Sequence, residues 1–271
     1  MGKQTGIIRY TGKVDKLIGY NYKGKPCVRS MPENVNQSEP TKLASTDFGT
    51  ASKAGKLVRY ALKQELSIRQ DSDLTNRLNS RLMKVLYAGD QQRGNRRFKR
   101  KTLDLLTGFK LNEHTELGKL LPFKPQVVQN RNSLRIAIPA MTAGKILHAK
   151  NTTHIEIKAI ATGVNFNEGD YQQAVSHAVM IDLRMPSEAT ELVLPFKAGE
   201  NETIVVLQVK AFREEDGKML ASGNRKFFAA DIIDIIPSLP EEGTVSSMYN
   251  LEREQQPVFM WQNIIMVAQL E

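Results

Sequence analysis

The run ETIVVLQVKAF at residues 202–212 is short, rich in β-branched residues and bounded by polar turn formers, the composition of a β-strand. Directly after it, Glu214-Glu215-Asp216-Gly217-Lys218 supplies the Asp-Gly pair of a tight hairpin, and the chain returns through MLASGNRKFFAADIIDII at 219–236. Runs of the same kind precede it: SLRIAIPA at 133–140, HIEIKAIATGVNF at 154–166, HAVMIDLRM at 177–185 and ELVLPF at 191–196. No spacer of helix length separates them, so they pair as antiparallel strands and not through βαβ crossovers. The expected architecture of this half is an antiparallel β-sandwich, immunoglobulin-like in layout. The Cys and Trp of antibody domains are absent there, which confines the likeness to architecture.

Upstream the period changes. Phe48, Ala51, Gly55, Val58, Leu62 and Leu66 recur at three- and four-residue steps, one face of an amphipathic helix. A second helix takes Ser72 or Asp73 as its cap, with Leu74, Leu78, Leu82 and Leu86 on one face and Arg77, Arg81 and Lys84 on another, and it stops at Gly89. Residues 6–30 (GIIRYTGKVDKLIGYNYKGKPCVRS) alternate apolar and polar positions around glycines and read as a hairpin turning at Lys23-Gly24-Lys25-Pro26. Pro32 and Pro40 bracket a polar connector through which no regular element should run. The fold class is therefore α+β. A basic region of N-terminal β-hairpin and helical middle spans residues 1–132, and a β-sandwich domain with an apolar end spans 133–271.

At 271 residues, 41% hydrophobic and 25% charged, the chain can bury a core, which excludes collagen-like, low-complexity and wholly disordered classes. The charge is divided unevenly. Residues 1–132 hold 26 Lys+Arg against 11 Asp+Glu, net +15, and residues 133–271 hold 12 against 18, net −6. A basic half of this size meets anions: nucleic acid, a membrane surface or an acidic protein. The alternative is attraction between the two halves or between neighbouring copies.

Cys27 is the single cysteine, so no internal disulfide, thiol metal cluster or C-x-x-C motif exists and a reducing compartment fits. No secretion signal is read at the start, and no apolar stretch approaches the roughly 20 residues that cross a bilayer. These features indicate a cytoplasmic protein without membrane association, in which the sequons at Asn36, Asn151 and Asn201 carry no weight. The end of the chain, PVFMWQNIIMVAQLE at 257–271, is apolar for a tail. Phe259, Trp261, Ile264 and Ile265 would each cost about 1.5 to 3 kcal/mol to leave in water. They pack on the protein's own core or form a partner interface.

Catalytic signatures are missing. There is no H-E-x-x-H, no G-x-S-x-G and no strand-borne G-x-G-x-x-G. GTASKAGK at 49–56 has five residues between its glycines and Leu57 after the lysine, where a phosphate loop needs four and a hydroxyl. His114, His148, His154 and His177 fall on different elements. His154 and Glu156 share a strand face, but no third metal ligand accompanies them. Asp231 and Asp234, three apart on one strand, should not share a face. No cofactor, metal or small-molecule substrate is indicated, and Cys27 reads as a packed thiol.

The densest functional signal is RGNRRFKRK at residues 93–101. Arg93, Arg96, Arg97, Lys99, Arg100 and Lys101 could meet phosphates while Phe98 stacks on a base. A solvated loop or a salt-bridged helix start is the competing reading. No helix-turn-helix, zinc finger or ribonucleoprotein motif accompanies it, so base-specific reading of DNA is not expected.

Gly12-Lys13-Val14, Gly19, Lys23-Gly24 and Val28-Arg29, followed by Pro32 and by Phe48 in a helix, resemble the start of an uncharacterised Bacteroidota domain-of-unknown-function family. In that family a G-K-V hairpin with K-G and V-R precedes a helical stretch and a β-rich half. DSDLTNRLNSRLMKVL at 71–86 and LLTGFKLN at 105–112 are similar to its middle, where GF-x-x-N introduces the β-rich part. Tyr22 stands where the family has a tryptophan-like aromatic before K-G, and the connector at 33–39 departs from the pattern. The resemblance implies no activity and no catalytic residues, and it favours a non-enzymatic bacterial protein.

Two functional expectations follow. One is a non-catalytic binding or assembly protein whose basic half contacts an anionic partner or another subunit of a homo-oligomer. The other is a sequence-independent nucleic-acid-binding protein that uses the cluster at 93–101.

Overall fold

The computed structural model describes residues 2–238 apart from 35, 67–72, 131, 144–151 and 197–200. The chain opens with four short strands, β1 (Gly2–Lys3), β2 (Gly12–Val14), β3 (Leu17–Tyr22) and β4 (Lys25–Ser30), in one sheet of order β1-β4-β3-β2. Two long helices follow, α1 (Glu39–Lys63) and α2 (Leu74–Tyr87), then two single turns, α3 (Arg100–Leu103) and α4 (Leu117–Leu120). The rest is β: β5 (Val127–Gln129), β6 (Leu134–Ile138), β7 (His154–Asn165), β8 (Asp170–Val175), β9 (Val179–Asp182), β10 (Thr190–Leu194), β11 (Glu202–Glu215), β12 (Lys218–Ala221) and β13 (Phe228–Ile236). The fold is thus mixed α and β with several antiparallel sheets around a helical middle.

The long pair β7 and β11 forms the axis of the larger sheet, in register from Glu202 opposite Val164 to Phe212 opposite His154. Each outer edge of the pair is shared by two shorter strands, β8 and β9 along β7, and β12 and β13 along β11. The hairpin expected at 214–218 is present: Asp216 and Gly217 both have positive φ, 50° and 73°, the two-residue turn whose twist suits antiparallel strands.

One face of this sheet packs on the smaller sheet β10-β6-β5. Ile155, Ile157, Val205, Leu207 and Val209 meet Ile136, Ile138, Leu192 and Leu194 in one core. The other face packs on the helices, where Ile160, Val164, Ile204, Val206 and Ile232 share a second core with Val58, Leu62, Leu78 and Leu82. A strand covered on both faces needs apolar side chains at successive positions, which accounts for the unbroken IVVL of β11. The second core joins residues on both sides of position 132.

Polar ties fix the helices to the sheet. Lys158 of β7 reaches past the end of α1 to donate to the Glu65 carbonyl at 2.8 Å, and Gln173 of β8 donates to the Ala61 carbonyl at 2.9 Å. The GF-x-x-N stretch serves the same end. Phe109 and Leu111 enter the helix-side core, and the buried Asn112 amide donates to the carbonyls of Arg225 and Phe228 at the start of β13.

Two expectations need correction. Residues 6–30 belong to a four-stranded sheet and not to a lone hairpin, because β1 pairs with β4 and β2 with β3. Phe48 lies outward, 55% exposed, and Asp47 takes the buried position beside it. The helix rotates to bury Asp47 because Arg96 supplies a countercharge there. Leu82, fully buried between helix and sheet, and Phe48 therefore differ in consequence: Leu82→Ala should cost about 2 to 5 kcal/mol in urea unfolding, and Phe48→Ala within about 0.5 kcal/mol.

Candidate anion-binding surface

The basic cluster at 93–101 does not form one open patch. Arg96 Nη1 donates to Asp47 Oδ2 at 2.6 Å, with the carboxylate 1% and the guanidinium side chain 19% exposed, and the Gly94 amide donates to Asp47 Oδ1 at 3.0 Å. The Arg96 guanidinium also lies 4.4 Å from the centre of the Tyr87 ring. This buried pair pins the 88–99 segment against α1, and its rupture would strand a charge in the interior. Lys99 pairs with Asp90, and Phe98 packs on Phe166 with centroids 4.6 Å apart at the edge of the helix-side core. Arg100 starts α3 and is half-buried. Arg93, Arg97 and Lys101 are the exposed members. Phe259, Trp261, Ile264 and Ile265 lie outside the described residues.

The N-terminal sheet gathers cations differently. Lys3, Arg9, Lys13, Lys16, Lys23, Lys25 and Arg29 accompany a single acid, Asp15, and all seven are exposed. The register sorts the strand residues onto two faces, because directly opposed residues of an antiparallel pair project to the same side. Tyr20 opposes Cys27, which opposes Lys3; Ile18 opposes both Arg29 and Lys13; Tyr22 opposes Lys25. Those eight residues form one face: Lys3, Lys13, Ile18, Tyr20, Tyr22, Lys25, Cys27 and Arg29. It carries four cations, two tyrosines and no acid.

The opposite face is crossed by the chain itself. Tyr10 lies so close over Gly19 that a Cβ there would stand 2.4 Å from the Tyr10 carbonyl oxygen and 2.8 Å from its ring, so only glycine permits the crossing. The Gln4 side chain clamps that crossing, donating to the Tyr10 and Cys27 carbonyls at 3.0 and 2.8 Å and accepting from the Tyr10 amide at 3.0 Å. One face is therefore closed by the 4–11 loop and the basic face stays open. Lys3, Lys13, Lys25 and Arg29 make no ion pair among the described residues; Arg29 lies 5.8 Å from the Tyr20 ring centre and Lys23 5.6 Å from that of Tyr22.

The sequence reading missed this face. Its signal was the two-residue Lys23-Gly24 turn, which sets Tyr22 against Lys25 and so Tyr20 against Cys27. Cys27 itself is buried in the sheet, as a packed thiol would be.

Elsewhere the chemistry is sparse. Among the described residues no three His, Cys, Asp or Glu side chains gather to hold a metal ion. His154 bonds Thr153 Oγ1 through Nδ1 at 2.8 Å and points Nε2 toward the Asp182 carboxylate at 3.7 Å. No helix among the described residues is long and apolar enough to cross a membrane. Asp231 and Asp234 do share a face, contrary to the spacing argument, because a bulge opposite Val205 and Val206 inserts Ile233 between them. Asp231 borders a cavity of about 480 Å³ lined mainly by Leu117, Leu121, Phe123 and Ile232. Its Oδ2 accepts from the Leu117 amide at 3.0 Å, and Oδ1 is buried without a hydrogen-bond partner.

No family model matches the chain, and neither a curated protein nor a solved structure does.

Burial pushes the Asp231 carboxyl up to about 6; the Leu117 amide and Lys110 oppose this, and Glu116 adds to it. A folded-state value above the ordinary one means the ionised group costs stability in full above about 6, and the cost shrinks as pH falls from there and vanishes only below the ordinary carboxylate value. Asp231→Asn should therefore raise the melting temperature in alkaline buffer, and its advantage over the wild type should shrink as pH falls through about 6. Calorimetry across that range checks the sign; an advantage that grows on acidification contradicts it.

Proposed function

We propose that the protein is a non-catalytic binding or assembly protein whose basic N-terminal half engages an anionic partner through the open face of the N-terminal sheet. The observation that carries this reading is the set Lys3, Lys13, Lys25 and Arg29, exposed on one face that bears no acid. Like charges held on one side of a thin sheet repel one another, and an anion relieves that repulsion while gaining four contacts. The partner surface is an acidic protein, a nucleic acid, or the acidic half of a second copy, since residues 133–271 carry net −6. In this reading the two facing β-sheets are the rigid, immunoglobulin-like scaffold, and the cytoplasm is the compartment that suits the unpaired Cys27. A second reading places nucleic-acid phosphates on the exposed Arg93, Arg97 and Lys101 of the 93–101 cluster.

Fluorescence anisotropy with labelled polyglutamate tests the two surfaces against each other. The variant carrying Lys3→Ala, Lys13→Ala, Lys25→Ala and Arg29→Ala should bind about tenfold more weakly or worse and lose most of the salt dependence. The variant carrying Arg93→Ala, Arg97→Ala and Lys101→Ala should bind as the wild type does. The reverse pattern would move the site to the 93–101 loop, and an absence of binding at low salt both to polyglutamate and to a labelled single-stranded oligonucleotide would end the anionic reading.

A further inference from the structure

Resting on the anion-binding reading of this face, we infer that its partner is a single-stranded nucleic acid, held by stacking of bases on Tyr20 and Tyr22 between phosphate contacts from Lys3, Lys13, Lys25 and Arg29. A purely electrostatic docking face has no use for aromatic rings among its cations. Here Tyr20 and Tyr22 follow Ile18 at alternate positions of the inner strand β3, Tyr20 in the middle of the face and Tyr22 at its turn end, with Lys25 and Arg29 on β4, Lys13 on β2 and Lys3 on β1. Residues two apart on a strand stand about 7 Å from each other on the same face, a separation that splayed neighbouring bases of a single strand can span. A base pair in a duplex keeps its ring faces inside the stack, so two rings on an open sheet suit unpaired bases.

The environment of each ring agrees. Tyr22 is 52% exposed, and Tyr20 is half-buried beside Cys27. Their nearest cations, Lys23 and Arg29, are at the outer limit of a cation–π contact, at 5.6 and 5.8 Å. Those side chains are long and can swing to phosphates when a base takes the ring face. The backbone beneath is fixed by the Gln4 clamp and by Tyr10 across Gly19, so the platform exists before the ligand arrives. Phosphate contacts and stacked rings do not depend on base identity, so the binding is sequence-tolerant.

The test uses the full chain and three labelled probes: a short oligothymidylate, an abasic oligonucleotide of the same length, and a duplex of the same length. The oligothymidylate should bind more tightly than the abasic strand by about 25-fold or more, since each of the two stacked bases contributes about 5-fold or more. Tyr22→Ala should remove one ring's share of that difference, about 5-fold or more, and leave abasic binding unchanged, and Tyr22→Phe should keep it. Tyr22 is exposed, so its truncation leaves the sheet's few buried contacts intact, and the result does not depend on Tyr20→Ala folding. Equal affinity for the oligothymidylate and the abasic strand, a Tyr22→Ala variant indistinguishable from the wild type, or a duplex that binds as tightly as the single strand would each overturn the stacking inference, while polyglutamate binding kept the anionic reading in place. Failure of all these probes and of polyglutamate would overturn both.

Discussion

The pairing of β7 with β11 is the constraint on which the rest of the molecule depends. It runs along nearly the whole of β7, and over most of that length both of its faces are buried. Apolar side chains on alternate positions of the same strand thus belong to two different cores, one shared with the small sheet and one with the helices. Neither neighbouring layer could leave without exposing half of these strands to water, at about 25 cal/mol for each Å² of apolar surface. The polar ties at Lys158, Gln173 and Asn112 set angles within that sandwich of layers; the apolar contacts hold the layers together.

The same packing decides which cations are available. Arg96 is drawn inside because Asp47 is buried on α1, Lys99 is matched by Asp90, and Phe98 contributes to the core edge. A linear cluster of six cations is therefore divided between structural and exposed roles. The N-terminal sheet has no second layer of its own making such demands. Its strands are short, its buried positions are Gly19 and Cys27, and its charges stay in water. A cation that the fold has not already matched retains its full attraction for an external anion, so the smaller and less packed element is the better candidate for contact.

Much of this was legible in the sequence, and what escaped has physical causes. Leu78, Leu82 and Leu86 recur every four residues and all three are fully buried, and Asp216-Gly217 closes the hairpin between β11 and β12. Asp47 could not be read, because a buried carboxylate is stable only with a partner forty-nine residues away in Arg96, and local periodicity carries no such information. The shared face of Asp231 and Asp234 was hidden by a bulge, which shifts register without a marker in the residues themselves. The tyrosine face was concealed by the conspicuous run at 93–101. Charge density along the chain is visible in a sequence, whereas charge that converges from three strands becomes visible only once their register is known.

The most direct test of the central claim is a map of backbone amide chemical shifts during titration with polyglutamate at low salt. The account predicts that the perturbed amides cluster in β1 to β4, around Lys3, Lys13, Lys25 and Arg29, with residues 93–101 and both cores unmoved. Perturbations concentrated at Arg93, Arg97 and Lys101, with the N-terminal sheet silent, would contradict it.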